Sequence, residues 1–267
     1  MPAAQKRLFV FVCGCFFFLT PVFVETPNQG VSTKTDVPDA MISIARGSFR
    51  PFDLPKKAAP IQVANFYLDV YPVTNAQFAQ FIKASPEWRK DQIARIKADT
   101  SYLHDWNDTD FPVSMGDHPV TQVSWYAARA YCQSQGKRLP TIDEWEYAAT
   151  KNGWNAEKNV AQIIAKWLAE PNSGRLGKIG SGLKSPQGVR DLHGLIWEWT
   201  EDFNSSSVIG DSRSDTNPEQ SQFCGASSLS GSDLRNYPAY MRYALRSSLR
   251  GNHTLVSLGF RCARDKK

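Results

Sequence analysis

Apolar residues recur at helical spacing in three short stretches, each opened by its own capping signal. In VTNAQFAQFIK, Phe78, Phe81 and Ile82 share one face, and Thr74 stands three residues before Gln77 as a capping box. In VSWYAARAYCQSQGKRLP, Ser124 is the cap, Trp125, Ala128 and Cys132 line one face, and Gly136 is the stop signal. LPTIDEWEYAAT repeats the device with Thr141 and Glu144, turning Trp145, Ala148 and Ala149 inward. Elsewhere the pattern predicts strands and loops. The folded body opens at MISIARGSF, PIQVANFYLDVYPV alternates weakly, and Asn172 to Gln187 is rich in Gly, Ser and Pro. No internal repeat and no heptad is present. The prediction is one α+β domain over residues 41–265 with much irregular backbone. Ordering that much loop costs more entropy than its few contacts return, so a disulfide or a metal ion is expected to pin it.

Composition narrows the class. A chain of 267 residues with 42% hydrophobic and 12% aromatic content can build one large core or two modest ones, which excludes disorder over most of its length. The formal charge of +5 includes Lys6 and Arg7 and is too mild to point to nucleic acid. Behind that basic pair, Leu8 to Val24 carries no charge, the layout of an export signal. Residues 1–24 are therefore read as a signal peptide, or as an uncleaved anchor, and residues 25–40, polar and punctuated by proline, as a linker. A lipid-attachment role for Cys15 is a further alternative. The expected location is periplasmic or secreted, with membrane contact only through the N-terminal segment. Cys132, Cys224 and Cys262 lie beyond it, an odd number that suggests one disulfide and a spare thiol in an oxidising compartment. Spacing alone does not say which two pair.

The segment GVRDLHGLIWEWTEDF carries the first candidate chemistry. Asp191 and Glu198 bracket Gly194, so two carboxylates and the carbonyls between them can converge on a hard cation such as calcium. The alternative is a buried Glu198 that accepts backbone or Arg hydrogen bonds and stabilises the fold. The histidines, His104, His118, His193 and His253, show no helical metal spacing, so an iron site would need distant segments. Farther along, Tyr237, Tyr240, Arg242, Tyr243 and Arg246 interleave aromatics with guanidinium groups. Arg242 and Arg246 suit a peptide or carboxylate ligand bound bidentately, and structural salt bridges account for them equally well. Cys224 reads as a reactive thiol, an intermolecular partner or a small buried hydrophobe.

The succession GSF (47–49), YLDVYPVTNAQFAQF (67–81), HPVTQVSWYAARAYC (118–132), GKRLPTIDEWEYAA (136–149), GVRDLHGLIWEW (188–199) and LGFRCAR (258–264) resembles the formylglycine-generating enzyme, or sulfatase-modifying factor, family. The resemblance implies a modified C-type-lectin-like fold of low regular structure. It implies a structural calcium ion held by the Asp191 and Glu198 side chains and the Gly194 and Ile196 carbonyls, and a disulfide between Cys132 and Cys262. Members that make formylglycine hold copper(I) between two thiolates ahead of the final LGFRC. Here FCGASSLSGSDLRNYPAYMRYALRSSLRGNHT contains only Cys224, and one sulfur is a poor copper(I) site. This places the chain nearer to branches without the pair, among them periplasmic proteins of siderophore maturation and proteins found with nitrite reductases. The implied function is an exported maturation factor that oxidises, or assists oxidation of, a peptide-like substrate or siderophore precursor. Cys224, Tyr240, Arg242 and Arg246 would line its groove as catalytic residues, with copper or iron as a redox metal of unassigned identity. The alternative is a noncatalytic lectin-like binding or assembly module for an envelope protein, and a true sulfatase activator is a third reading.

Overall fold

Alternation in the first apolar stretch of the body sets Ile44 inward, and it does so as part of a sheet that ties the two ends of the domain together. The computed structural model describes residues 40–51, 59–150, 166–167, 176–204 and 237–266. β1 (Met41–Ile44) pairs antiparallel with β4 (Phe66–Asp69), which pairs on its other edge with β7 (Ala263–Asp265). The register sets Met41 opposite Asp69 and Phe66 opposite Asp265. β2 (Gly47–Phe49) and β3 (Ile61–Val63) form an antiparallel pair, and β5 (Trp197–Glu198) lies parallel to β6 (Leu258–Gly259).

All three capped helices are present. α1 (Asn75–Ala84) carries the full Thr74–Gln77 capping box, α2 (Trp125–Ser134) is capped by Ser124, and α3 (Ile142–Thr150) by the Thr141–Glu144 pair. Gly136 follows α2 with φ +64°, the left-handed conformation that its position as a stop signal requires. A fourth helix, α4 (Tyr237–Ser248), was not foreseen. The sequence reading gave its aromatic and basic residues to a groove, although Arg242 and Arg246 stand one helical turn apart.

Two apolar clusters result. Phe78, Tyr131, Trp199 and Phe260 centre the larger one, between α1 and α2, with ring centroids of Phe78 and Phe260 6.1 Å apart. Ile44, Phe66, Leu68, Trp145 and Tyr147 form the second, between the three-stranded sheet and α3. At Gly259 a β-carbon would collide with the Val120 carbonyl, so only glycine lets β6 pass that backbone. The described residues belong to one compact unit, 35–267. Among them no helix is long and apolar enough to cross a membrane. The proposed signal or anchor at 1–24, the linker up to residue 39, and Cys224 lie outside the described residues.

The disulfide joins Cys132 of α2 to Cys262 just before β7, with Cα atoms 5.6 Å apart and both residues fully buried. It closes a loop of sequence separation 130 and so restricts the unfolded chain strongly. Replacing both cysteines by alanine is expected to cost about 4 kcal/mol, read from urea unfolding of the two purified proteins. A loss under about 1 kcal/mol would mean that the unfolded chain is already compact without the bridge.

Candidate functional site

Residues 188–199 turn sharply and bring their polar groups to the seam between the two apolar clusters. Asp191 (φ +62°) and Gly194 (φ +85°) both adopt the left-handed region, which aspartate tolerates and glycine adopts freely. The Asp191 carboxylate accepts the backbone N–H groups of Gly180 and Gly182, so this loop holds the 176–187 segment in place. Burial pushes the Asp191 carboxyl up; the two N–H groups and the Arg261 charge pull it down, and the nearby Glu198 charge adds to the rise.

Glu198 is buried beside Trp197 and Trp199, and its anion is met on both oxygens. Arg261 donates from Nε to Oε2 and from Nη2 to Oε1, each at 2.8 Å, and the Trp145 indole donates to Oε2 at 2.7 Å. The flanking tryptophans take separate tasks. Trp199 is buried and donates to the Val123 carbonyl at 2.9 Å, while half-buried Trp197 lies against Trp167 with centroids 4.6 Å apart.

A hard cation at this loop would draw on the Asp191 and Glu198 oxygens, which already accept hydrogen bonds, and on the Gly194 and Ile196 carbonyls. Asp191 lies near enough to Glu198 to feel its charge, and Asp191 retains lone pairs after its two backbone bonds. Among the described residues, the hydrogen bonds made outside helices and strands include none accepted by the Gly194 or Ile196 carbonyls. Two carboxylates and two such carbonyls are the hard donors that calcium takes.

On the other side of Trp145 lies a second buried ion cluster. The α3 capping box is braced by Arg138, whose guanidinium grips Glu144 at 2.7 Å, and this fixes the rotation of the helix. That rotation buries Glu146, which receives Nε and Nη2 of Arg242 at 2.9 and 2.7 Å and Nη1 of Arg246 at 2.7 Å. Burial alone would raise the Glu146 carboxyl, but the charges and hydrogen bonds of the two arginines overcome it and hold it down at about 2. Both guanidinium carbons sit over the Trp145 ring, 5.0 and 5.1 Å from its centroid. His193 meets the same ring edge-on and lies near the Ala149 carbonyl at 3.3 Å. Burial and the Arg242 charge hold His193 neutral, pushed down to about 3.

A narrow cavity opens between α4 and the 192–199 segment, with Trp145, Trp167, Trp197, His193, Arg242 and Arg246 among its walls. The structure therefore gathers Arg242 and Arg246 at one cavity, with Tyr240 on the same helix. Asp191, Gly194, Ile196 and Glu198 lie on the adjoining loop, and His193 is buried there. His104 is exposed beside Asp105, His118 sits at the turn that receives Asn75, and His253 closes a local turn with Arg250. Among the described residues no three His, Cys, Asp or Glu side chains form a metal-binding group. The sequence reading missed Glu146 and Arg261. Glu146 had a usable signal, a carboxylate beside Trp145 on a short amphipathic helix; Arg261, between buried Phe260 and Cys262, had another.

Among the described residues, short strands, short helices and long loops around a disulfide make an α+β domain of little regular structure. The sulfatase-modifying factor enzyme 1-like domain matches residues 28–266, and the chain belongs to that family. The formylglycine-generating enzyme of Streptomyces coelicolor is 27% identical over 270 residues, covering 83% of this chain and 85% of that protein. A serine/threonine-protein kinase pkn1 of Chlamydia caviae is 28% identical over 207 residues, 76% of this chain and 33% of the kinase. The chain thus spans about a third of the length of such kinase relatives. The structure of PvdO from Pseudomonas aeruginosa superposes with a TM-score of 0.50 at 17% identity, covering 85% of this chain and 94% of that one, a likeness of fold.

Proposed function

We propose that this chain is an exported maturation-type member of the family that recognises a peptide-like substrate, and that it does not generate formylglycine by the copper route. The observation that carries this reading is the cavity beside Trp145, whose arginines are engaged with Glu146 on a rigid helix and face apolar walls. Such a wall binds and orients a ligand. The sequence supports the second half, because the segment ahead of LGFRC offers Cys224 alone where copper(I) needs two thiolates. Export is supported by the uncharged run after Lys6 and Arg7 and by the buried disulfide, which suits an oxidising compartment.

Calcium belongs to the same proposal as a structural ion. Asp191 and Glu198 would hold it with the Gly194 and Ile196 carbonyls, and its charge would balance Asp191, which meets only backbone donors directly. The chemistry it supplies is fixation of the 188–199 loop, which in turn orients Trp197 and Trp199. Elemental mass spectrometry after calcium loading and desalting is expected to find stoichiometric calcium in the wild type and little in Asp191→Ala. Equal metal content in the two proteins would remove calcium from this loop.

The function is tested by incubating the purified chain with copper(I), oxygen and a cysteine-containing sulfatase peptide, with mass spectrometry of the peptide. The cysteine is expected to survive. Turnover to formylglycine would overturn the proposal and restore the sulfatase-activator reading.

A further inference from the structure

The Glu146 cluster holds two positive charges against one negative charge in a nearly closed environment. The side chains of Arg242 and Arg246 are 6% and 5% exposed, and Glu146 is 2% exposed. Arg242 spends its Nε–Nη2 fork on the carboxylate, whereas Arg246 gives only Nη1, so among the described residues the Nε–Nη2 fork of Arg246 is unspent. The other buried carboxylate at the cavity, Glu198, is neutralised by Arg261 and leaves this surplus uncorrected. Arg246 lines the cavity, so a second anion there would meet its guanidinium largely out of bulk water. A planar carboxylate matches a free guanidinium fork bidentately.

The walls specify the rest of the ligand. The cavity is narrow, with room for a group of a few non-hydrogen atoms such as a carboxylate. Trp167 and Trp197, both half-buried and with their rings in contact, are among its walls. Their remaining exposed surface suits a flat apolar body, which gains from ring contact and from burial. We propose that this cavity binds an aromatic carboxylate, its carboxylate on the free edge of Arg246 and its ring against Trp167 and Trp197. The chemistry is shared by a free aryl-alkyl acid and by the C-terminal end of a peptide finishing in Phe, Tyr or Trp. The inference deepens the recognition reading above but does not depend on whether the chain forms formylglycine.

The test is titration of the calcium-loaded, oxidised full chain with 3-phenylpropionate and with its amide, followed by tryptophan fluorescence and calorimetry. The acid is expected to bind at least about tenfold more tightly than the amide, which keeps the ring and loses the charge. Arg246→Gln should lose that preference while staying folded, since Arg242 still pairs bidentately with the Glu146 carboxylate. N-acetyl peptides ending in phenylalanine, as free acids and as amides, form the second arm. Preference for the peptide acid over 3-phenylpropionate assigns the site to a chain end, and the reverse order assigns it to a free organic acid. Equal binding of acid and amide, acid binding unchanged in Arg246→Gln, or acetate competing as well as the aryl acid would each overturn the proposal. None of these results bears on copper-dependent turnover, so the two readings fail separately.

Discussion

Methionine in place of Arg261 is expected to destabilise the domain by about 3–5 kcal/mol, measured by urea unfolding of the oxidised protein. The side chain is fully buried, and its five N–H groups all find acceptors. Two go to Glu198, two from Nη1 to the Asp69 and Val70 carbonyls at 3.0 Å, and one from Nη2 to the Arg190 carbonyl at 2.9 Å. Methionine fills most of the volume and satisfies none of them. The orphaned Glu198 anion dominates the loss, so Arg261→Met combined with Glu198→Gln should recover a part of it, leaving the three carbonyls as the remainder. Strict additivity of the two substitutions would show that the ion pair is not the source.

Glu146→Gln is expected to cost a similar amount, about 3–5 kcal/mol, because it leaves two buried guanidinium groups without an anion. This variant also carries a signature in pH. The Glu146 carboxyl is held down in the folded state from its ordinary value of 4.5 to about 2, with burial opposing and the Arg242 and Arg246 charges prevailing. In that window the unfolded chain takes up the proton first. The stabilisation from Glu146 is therefore complete above the ordinary carboxyl value and is lost as pH falls toward the folded one, at a slope of up to about 1.4 kcal/mol per pH unit. The stability difference between wild type and Glu146→Gln should shrink through that range. A difference that stays constant down to pH values near the folded one would show that Glu146 is not the titrating anion.

The three capped helices were readable because each signal acts within a few residues. Thr74 with Gln77, Ser124 with its following amide, and Thr141 with Glu144 satisfy the first-turn donors locally, and the apolar spacing then picks the buried face. α4 escaped because its residues, Tyr240, Arg242 and Arg246 among them, suit a ligand groove as readily as a helix face. At the site, Asp191, Gly194, Ile196 and Glu198 were legible as one loop. The partner of Glu198 was not, since Arg261 stands 63 residues away and arrives through the pairing of β5 with β6.

Two kinds of information thus separate along the chain. Capping pairs, apolar spacing, the lack of a cysteine pair ahead of LGFRC, and the family itself are present in the order of the residues, where a reader meets each as a local pattern. The pairing of Glu198 with Arg261, the sharing of Glu146 by two arginines, and the surplus charge beside Trp167 and Trp197 come from contacts between distant segments. Desolvation gives those contacts their strength: an ionised side chain is inexpensive in water and costly in a core, so its meaning depends on what the fold puts against it.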